Sequence, residues 1–175
     1  MGENVWEKTQ SYRTRPLSGE DAAQIARWRY PVPYDFYDSS PTDATAELLA
    51  ATAAYYADPV HNYFAVDDGT GLFVGFGCFG IEAQVLGYDY TQADALDIGL
   101  GMRPDRTGRG EGHAFLAAIL SHARALHRPT LLRATIATFN QRSARTFLRA
   151  GFLPIAAFRS QTARPIDFGI YTRKA

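Results

Sequence analysis

Apolar and polar positions along the chain alternate between the two-residue period of strands and the helical period of 3.6. Residues 11–17 read as a first strand, closed by Pro16 and Leu17. Ser18 with Asp21 forms a capping-box pattern, and Ile25 and Trp28 follow at helical spacing. Pro31 and Pro33 stop that helix. An alanine-rich stretch from Thr42 to Tyr56 predicts a second helix, ending at Asp58-Pro59. His61–Val66 and Leu72–Phe79 predict strands joined by an Asp67-Asp68-Gly69 turn. Glycines 75, 77 and 80 weaken the second of these and mark a bulge or a close backbone approach. Residues 81–94 are polar and loop-like.

Strand Leu96–Met102 precedes a helix over Gly110–Leu126, which places Leu116, Ile119, Leu120 and Ala123 on one face. Strand Leu131–Ala137, helix Gln141–Ala150 with Gly151 as its C-terminal cap, and strands Phe152–Phe158 and Ile166–Tyr171 complete the pattern. The sum is an α+β fold with a mixed sheet that carries helices on its faces. At 175 residues and 46 % hydrophobic, with no repeat or linker, the chain is expected to form one domain over 1–175.

Charge refines this picture. The chain is neutral, yet residues 1–102 hold 5 Lys and Arg against 15 Asp and Glu, while residues 103–175 hold 13 against 3. A basic second half suits an anionic ligand such as a nucleotide cofactor, and an acidic first half suits a cationic amine. Two oppositely charged solvated faces are the alternative. No apolar run reaches the roughly 20 residues of a membrane span, and the N-terminus lacks a signal-peptide core. Trp6 stands where a myristoylation motif beginning at Gly2 wants Ser or Thr. Cys78 is the single cysteine, so no internal disulfide or Cys-type zinc site forms. These features suggest the cytoplasm. His122 and His127 are five apart and no His-Glu-x-x-His occurs, so no metal is expected. Scattered arginines argue against nucleic acid.

The most informative stretch joins Leu96–Met102 to its helix through glycines 108, 110 and 112. The first amides of a helix have no internal partner and carry partial positive charge, so glycines there form an anion cradle. Arg106 and Arg109 add phosphate-matching donors. Glu111 after Gly110 departs from the P-loop pattern. The Gly-x-Gly-x-Gly spacing, without an acid near 130–136, departs from a dinucleotide fold. An ordinary tight turn into a helix is the alternative for the glycines alone.

Residues Met102–Gly112 resemble the coenzyme A-binding motif of the GNAT N-acetyltransferases, an apolar strand end, a proline, then a basic glycine loop. Asn140-Gln-Arg-Ser143, Phe147 and Ala150-Gly-Phe152 resemble that family's second motif. Within it, Trp28–Tyr37 and Asp97–Gly110 look similar to bacterial members labelled ribosomal-protein alanine acetyltransferases. The resemblance implies a mostly antiparallel central sheet with helices on both faces, acetyl-CoA as co-substrate, direct acetyl transfer to a primary amine, and often a homodimer. Thr107 departs from the family's Gln or Arg, and Phe147 from the tyrosine thought to protonate departing coenzyme A.

Carried onto this chain, the resemblance implies that Leu100 and Met102 bind the pantetheine and the thioester carbonyl. Met102 N–H is then the oxyanion donor. The amides of Thr107, Gly108, Arg109, Gly110, Glu111 and Gly112 hold the pyrophosphate, Asn140 the pantetheine, and Arg142 and Arg145 the adenosine phosphate. Asp97 is the favoured base, with Asp94 and Glu82 as alternatives and a local ion pair as the competing role for Asp97. Water, Tyr88, Tyr90 or Tyr171 would replace the missing acid. Trp28–Tyr37 is expected over the acceptor cleft, with Tyr34, Tyr37 and Glu82 binding substrate and Asp35 and Asp38 adding charge. A packed lid is the alternative for that segment. A coenzyme A-binding module without catalysis and an unrelated nucleotide-binding domain are competing readings.

Overall fold

The computed structural model describes residues 11–175. Seven strands form one sheet in the order β1-β2-β3-β4-β5-β7-β6. They are β1 (Arg13–Pro16), β2 (Tyr63–Asp67), β3 (Phe73–Phe79), β4 (Leu96–Met102), β5 (Leu131–Ala137), β6 (Leu153–Arg159) and β7 (Asp167–Lys174). Every neighbouring pair is antiparallel except β4 and β5. The helices are α1 (Gly19–Ile25), α2 (Ala46–Ala57), α3 (Gly112–His127) and α4 (Gln141–Arg149). This is the mixed, mostly antiparallel architecture expected from the sequence.

Local chemistry sets the helix ends. Ser18 and Asp21 cap α1 reciprocally, Oγ accepting from Asp21 N and the Asp21 carboxylate from Ser18 N. Thr45 caps α2, so that helix starts at Ala46 rather than at Thr42. The 81–94 stretch is irregular apart from short 3-10 turns at Gly80–Ala83 and Tyr90–Gln92.

Two apolar cores flank the sheet. Phe115, Leu116, Ile119, Leu120 and Ala123 of α3 and Phe147 of α4 pack on Phe64, Val66, Val74, Ile98, Leu132, Ala134 and Ile136. On the other face Ile25 and Trp28 pack on Ala65 and Phe73, with Tyr56 of α2 and Phe76 against them. Along β2, residues 64, 65 and 66 therefore alternate between the cores, as a pleated strand requires. Opposite Val66 and Asp67 of β2 the register slips, leaving Val74 as an extra residue in β3, which lets Phe73 and Phe76, three apart, share the α1 face. Gly75 marks a close approach: a Cβ there would meet Gly101 O and the Phe115 ring at 2.5 Å.

Trp28 belongs to this second core. It is 8 % exposed and stacks on Phe73 and Phe76 with centroids 5.6 and 6.0 Å away. It therefore does not lie over a cleft, as the aromatic segment suggested.

Candidate active site

The site begins where β4 and β5 part. These strands keep register at only two positions, Leu96↔Leu132 and Asp97↔Arg133. Beyond them β4 stays paired to β3 and β5 to β7. Between the parted ends lies a cavity of about 830 Å³, with Leu100 and Met102 on one side and Ala134 to Ile136 on the other. The β3–β4 ladder fixes how β4 faces it. Arg103 N donates to Val74 O at 2.8 Å, in register with the Gly75↔Met102 pair. Alternation of the ladder then turns the amides of Leu100 and Met102 away from β3, toward the gap. Met102 O accepts from the Tyr30 hydroxyl at 2.8 Å.

Asp97 is not positioned as a free base. Arg133 Nε and Nη2 donate to its two oxygens at 2.6 and 2.9 Å, and Gln84 Nε2 donates at 2.7 Å. Both side chains of the ion pair are 3 % exposed, and Asp97 does not line the cavity. The local ion pair weighed from the sequence describes its role, which is to fasten β4 to β5 at the last paired position. Asp94 is exposed and outside the cavity.

The glycine loop lies at one end. Gly108 and Gly110 adopt φ of 76° and 83°, open to glycine at little cost. Thr107, Gly108, Gly110 and Gly112 line the cavity. The N-cap residue of α3, Glu111, makes no side-chain capping bond, so the first amides of α3 stay available. Glu111 instead accepts from Tyr12 Oη at 2.9 Å and from Arg106 Nε at 3.0 Å. Arg106 also donates to Asp68 at 3.0 Å, so its charge is neutralised inside the loop rather than offered to a phosphate. Arg109 is exposed and does not line the cavity. Any contact from Arg109 or Glu111 to a ligand here falls to the backbone.

Helix α4 supplies the opposite wall. Asn140 caps it through Oδ1, which accepts from Ser143 N at 3.1 Å, while Nδ2 donates to the Tyr37 hydroxyl at 3.2 Å. The Arg142 guanidinium lies over the Tyr34 ring at 4.7 Å and near Gly108. Arg142, Arg145 and Arg149 line the cavity without a carboxylate partner among the described residues. Arg149 escaped the sequence reading, although it lies two helical turns from Arg142 in the same motif. Phe147 is 2 % exposed and meets Phe152 edge-on at 5.0 Å.

The far end is aromatic and acidic. Glu82, on the turn after β3, accepts from His61 Nδ1 at 2.8 Å, Tyr55 Oη at 2.5 Å and Tyr63 Oη at 3.4 Å. Burial raises its pKa, but these hydrogen bonds together outweigh burial and hold the carboxyl below its ordinary value. Tyr63 and, packed against it, Tyr56 and Phe76 wall the cavity beside it, while Tyr34 and Tyr37 line the α4 side. Asp35 and Asp38 do not reach it, and Asp38 instead accepts from Tyr30 N at 2.9 Å. Tyr88, Tyr90 and Tyr171 lie outside as well, with Tyr90 bonded to Thr135 Oγ1 at 2.9 Å.

An uncapped helix start behind glycines, three arginines without a carboxylate partner among the described residues, and two strand amides turned to the gap fit a long diphosphate-bearing thioester such as acetyl-CoA. Among the described residues no cluster of three or more His, Cys, Asp or Glu could hold a metal. Nor is any helix there long and apolar enough to cross a membrane.

Solved acetyltransferase structures share the fold at low identity. A chimera of the Vibrio cholerae spermidine N-acetyltransferase SpeG and hSSAT superposes with a TM-score of 0.68 at 14 % identity, covering 94 % of this chain and 95 % of its own. A GNAT-family acetyltransferase from Bacillus anthracis gives 0.63 at 15 %, covering 94 % and 95 %. The yncA protein of Salmonella typhimurium, with its cofactor acetyl-CoA, gives 0.62 at 19 %, covering 94 % of each. No curated protein sequence matches the chain. The family model for the acetyltransferase (GNAT) domain matches residues 13–153, through both motifs and the parted strands between them, and the chain belongs to that family.

Proposed function

We propose that this acetyltransferase moves the acetyl group of acetyl-CoA directly onto a cationic primary amine. The observation that carries this reading is the polarity of the cavity. Its arginine and glycine-loop end meets a diphosphate, and its other end presents one carboxylate, Glu82, inside a wall of tyrosines. Ammonium groups are attracted to such a combination of carboxylate and aromatic faces. Glu82 is then the group that holds the amine, and it takes over from Asp97 as the proton acceptor, directly or through water. Its lowered pKa keeps it ionised at neutral pH.

Each remaining residue has a part in this scheme. The Met102 amide faces the gap and donates to the carbonyl oxygen as charge develops there. The amides of residues 107–112 hold the pyrophosphate. Asn140 Nδ2 exchanges Tyr37 for the pantetheine arm, and Arg142 and Arg145 meet the adenosine phosphate.

Thiol release from acetyl-CoA, measured against a panel of peptides, lysine derivatives, polyamines and neutral amines, tests the scheme. Cationic acceptors should turn over faster than neutral ones of the same size. Release that depends on no amine would overturn it. Phe147, which has no hydroxyl, favours a second reading, a coenzyme A-binding module with little catalysis. Tight acetyl-CoA binding without release for any amine would establish that reading.

A further inference from the structure

The transfer proposed above, on which this inference rests, still needs a proton donor for the departing sulfur, and the phenyl ring of Phe147 has none to give. We propose that Tyr30 is the general acid, delivering its phenolic proton to the thiolate of coenzyme A as the carbon–sulfur bond breaks.

Tyr30 lies past α1 and lines the cavity. Its hydroxyl donates to Met102 O at 2.8 Å. In an extended strand the N–H and C=O of one residue project to the same side. The phenol is therefore bonded to the very residue whose amide faces the thioester carbonyl. The sulfur is attached to that carbonyl carbon, so rotation about the phenolic C–O bond redirects the proton from Met102 O toward it.

The ring is held for this task. It packs against the Ile25, Trp28, Ala65 and Phe73 core, and its backbone N–H donates to Asp38 Oδ1 at 2.9 Å. Burial first, then Tyr56 and Asp38, push the phenol pKa well up, which holds the proton on Tyr30 until negative charge develops beside it, at a cost in acidity. Tyr56 and Asp38 are the titratable groups that face it.

Other phenols on the wall lie beside other groups: the Tyr37 hydroxyl accepts from Asn140 Nδ2, Tyr56 is bonded to Ser39 Oγ at 2.9 Å, Tyr63 donates to Glu82, and the Tyr34 ring lies under Arg142. Tyr30 alone is bonded to Met102 O.

The step balances. The amine nitrogen bonds to the carbonyl carbon, the carbon–sulfur bond breaks, and the Tyr30 proton goes to sulfur. The ammonium gives one proton through Glu82 to solvent before attack and a second after it, and solvent returns one to the phenolate. Ammonium and acetyl-CoA become amide, free coenzyme A and one proton.

Tyr30→Phe tests this in three measurements: kcat by thiol release, acetyl-CoA affinity by calorimetry, and affinity for free coenzyme A across pH. General acids contribute about 10²–10⁴-fold, so kcat should fall by about 100-fold while acetyl-CoA affinity is unchanged. Free coenzyme A should bind the unaltered protein more tightly as its thiol ionises above about pH 8, and Tyr30→Phe should lose that gain. A kcat within about threefold of the unaltered enzyme overturns the proposal, as does a fall matched by an equal loss of acetyl-CoA affinity. Should Tyr30→Phe not fold, a fluorinated tyrosine at position 30 keeps the packing and makes the phenol more acidic. A more acidic donor should then raise kcat, and an unchanged kcat overturns the assignment. An unaltered protein that releases no thiol with any amine overturns the transfer reading and this one together. Active unaltered protein with equally active Tyr30→Phe overturns this one alone.

Discussion

Asp97 and Arg133 face each other across the last paired position of β4 and β5, their two-pronged ion pair closed at 2.6 and 2.9 Å with both side chains buried. Immediately beyond it the strands separate and the cavity opens. The pair is thus the pivot of the opening, and removing one charge leaves the other buried without compensation. Asp97→Asn should cost about 3–5 kcal/mol of stability. Replacing both, Asp97→Leu with Arg133→Met, should recover much of that loss. Urea midpoints of the three variants check this. A base would instead show a turnover defect that recovers at high pH, so the expected kinetic result for Asp97→Asn is an activity per folded molecule with the same pH profile as the unaltered protein.

What the sequence disclosed divides by range. Ser18 with Asp21, Gly108, Gly110 and Asn140 act through neighbours within three or four residues, by capping or by a positive φ, so their roles could be read locally. Asp97 could be placed on the correct strand, but its partner lies 36 residues away on the parallel neighbour, and strand alternation assigns a face without naming what covers it. Glu82 draws on His61 and Tyr55, which are 21 and 27 residues away. Trp28 was misplaced because its ring partners, Phe73 and Phe76, lie far along the chain: the glycines of β3 pointed to a bulge, but not to the face on which it gathers those two rings. The succession of strands and helices along the chain, set by periodicity and turn chemistry, was legible; their order within the sheet was not read.

Glu82 concerns acceptor binding and acid stability at once. Glu82→Gln removes the charge an ammonium would meet, and charged hydrogen bonds contribute about 1.5–3 kcal/mol. The expected result is a fall in kcat/KM for every amine, from loss of the proton acceptor, that is about 10–100-fold larger for cationic amines than for neutral ones. The carboxyl is held below its ordinary 4.5, so its contribution to stability is complete above that value and disappears as pH falls through the lower folded value. Melting temperature measured from neutral pH down into that range should therefore drop less in Glu82→Gln than in the unaltered protein.

Gly110 tests the loop without a steric clash. Its φ is 83°, and a Cβ placed there would meet nothing within 4 Å. Gly110→Val therefore acts through backbone strain, about 1–2 kcal/mol for an L-residue held in this region. Relief of the strain turns the amides away from the pyrophosphate. Acetyl-CoA affinity, measured by calorimetry, should weaken by about tenfold or more, while the melting temperature changes little.

The arginines separate by partner. Arg106 is 11 % exposed and bridges Asp68 and Glu111, whereas Arg142 rests on Tyr34 with no carboxylate beside it among the described residues. A guanidinium already neutralised by two anions contributes position rather than field. One without a counter-charge contributes attraction that salt screens over about 10 Å at 0.1 M. Arg106→Met unfastens the loop from Asp68, just after β2, and from Glu111, the N-cap of α3, so it should weaken acetyl-CoA binding by a factor that persists at high salt. Arg142→Met should weaken binding strongly at low salt and progressively less as salt rises, since screening removes what the mutation has already removed. Affinities of both variants across a salt series distinguish the two roles, and parallel salt slopes for Arg142→Met and the unaltered protein would contradict the role given to Arg142.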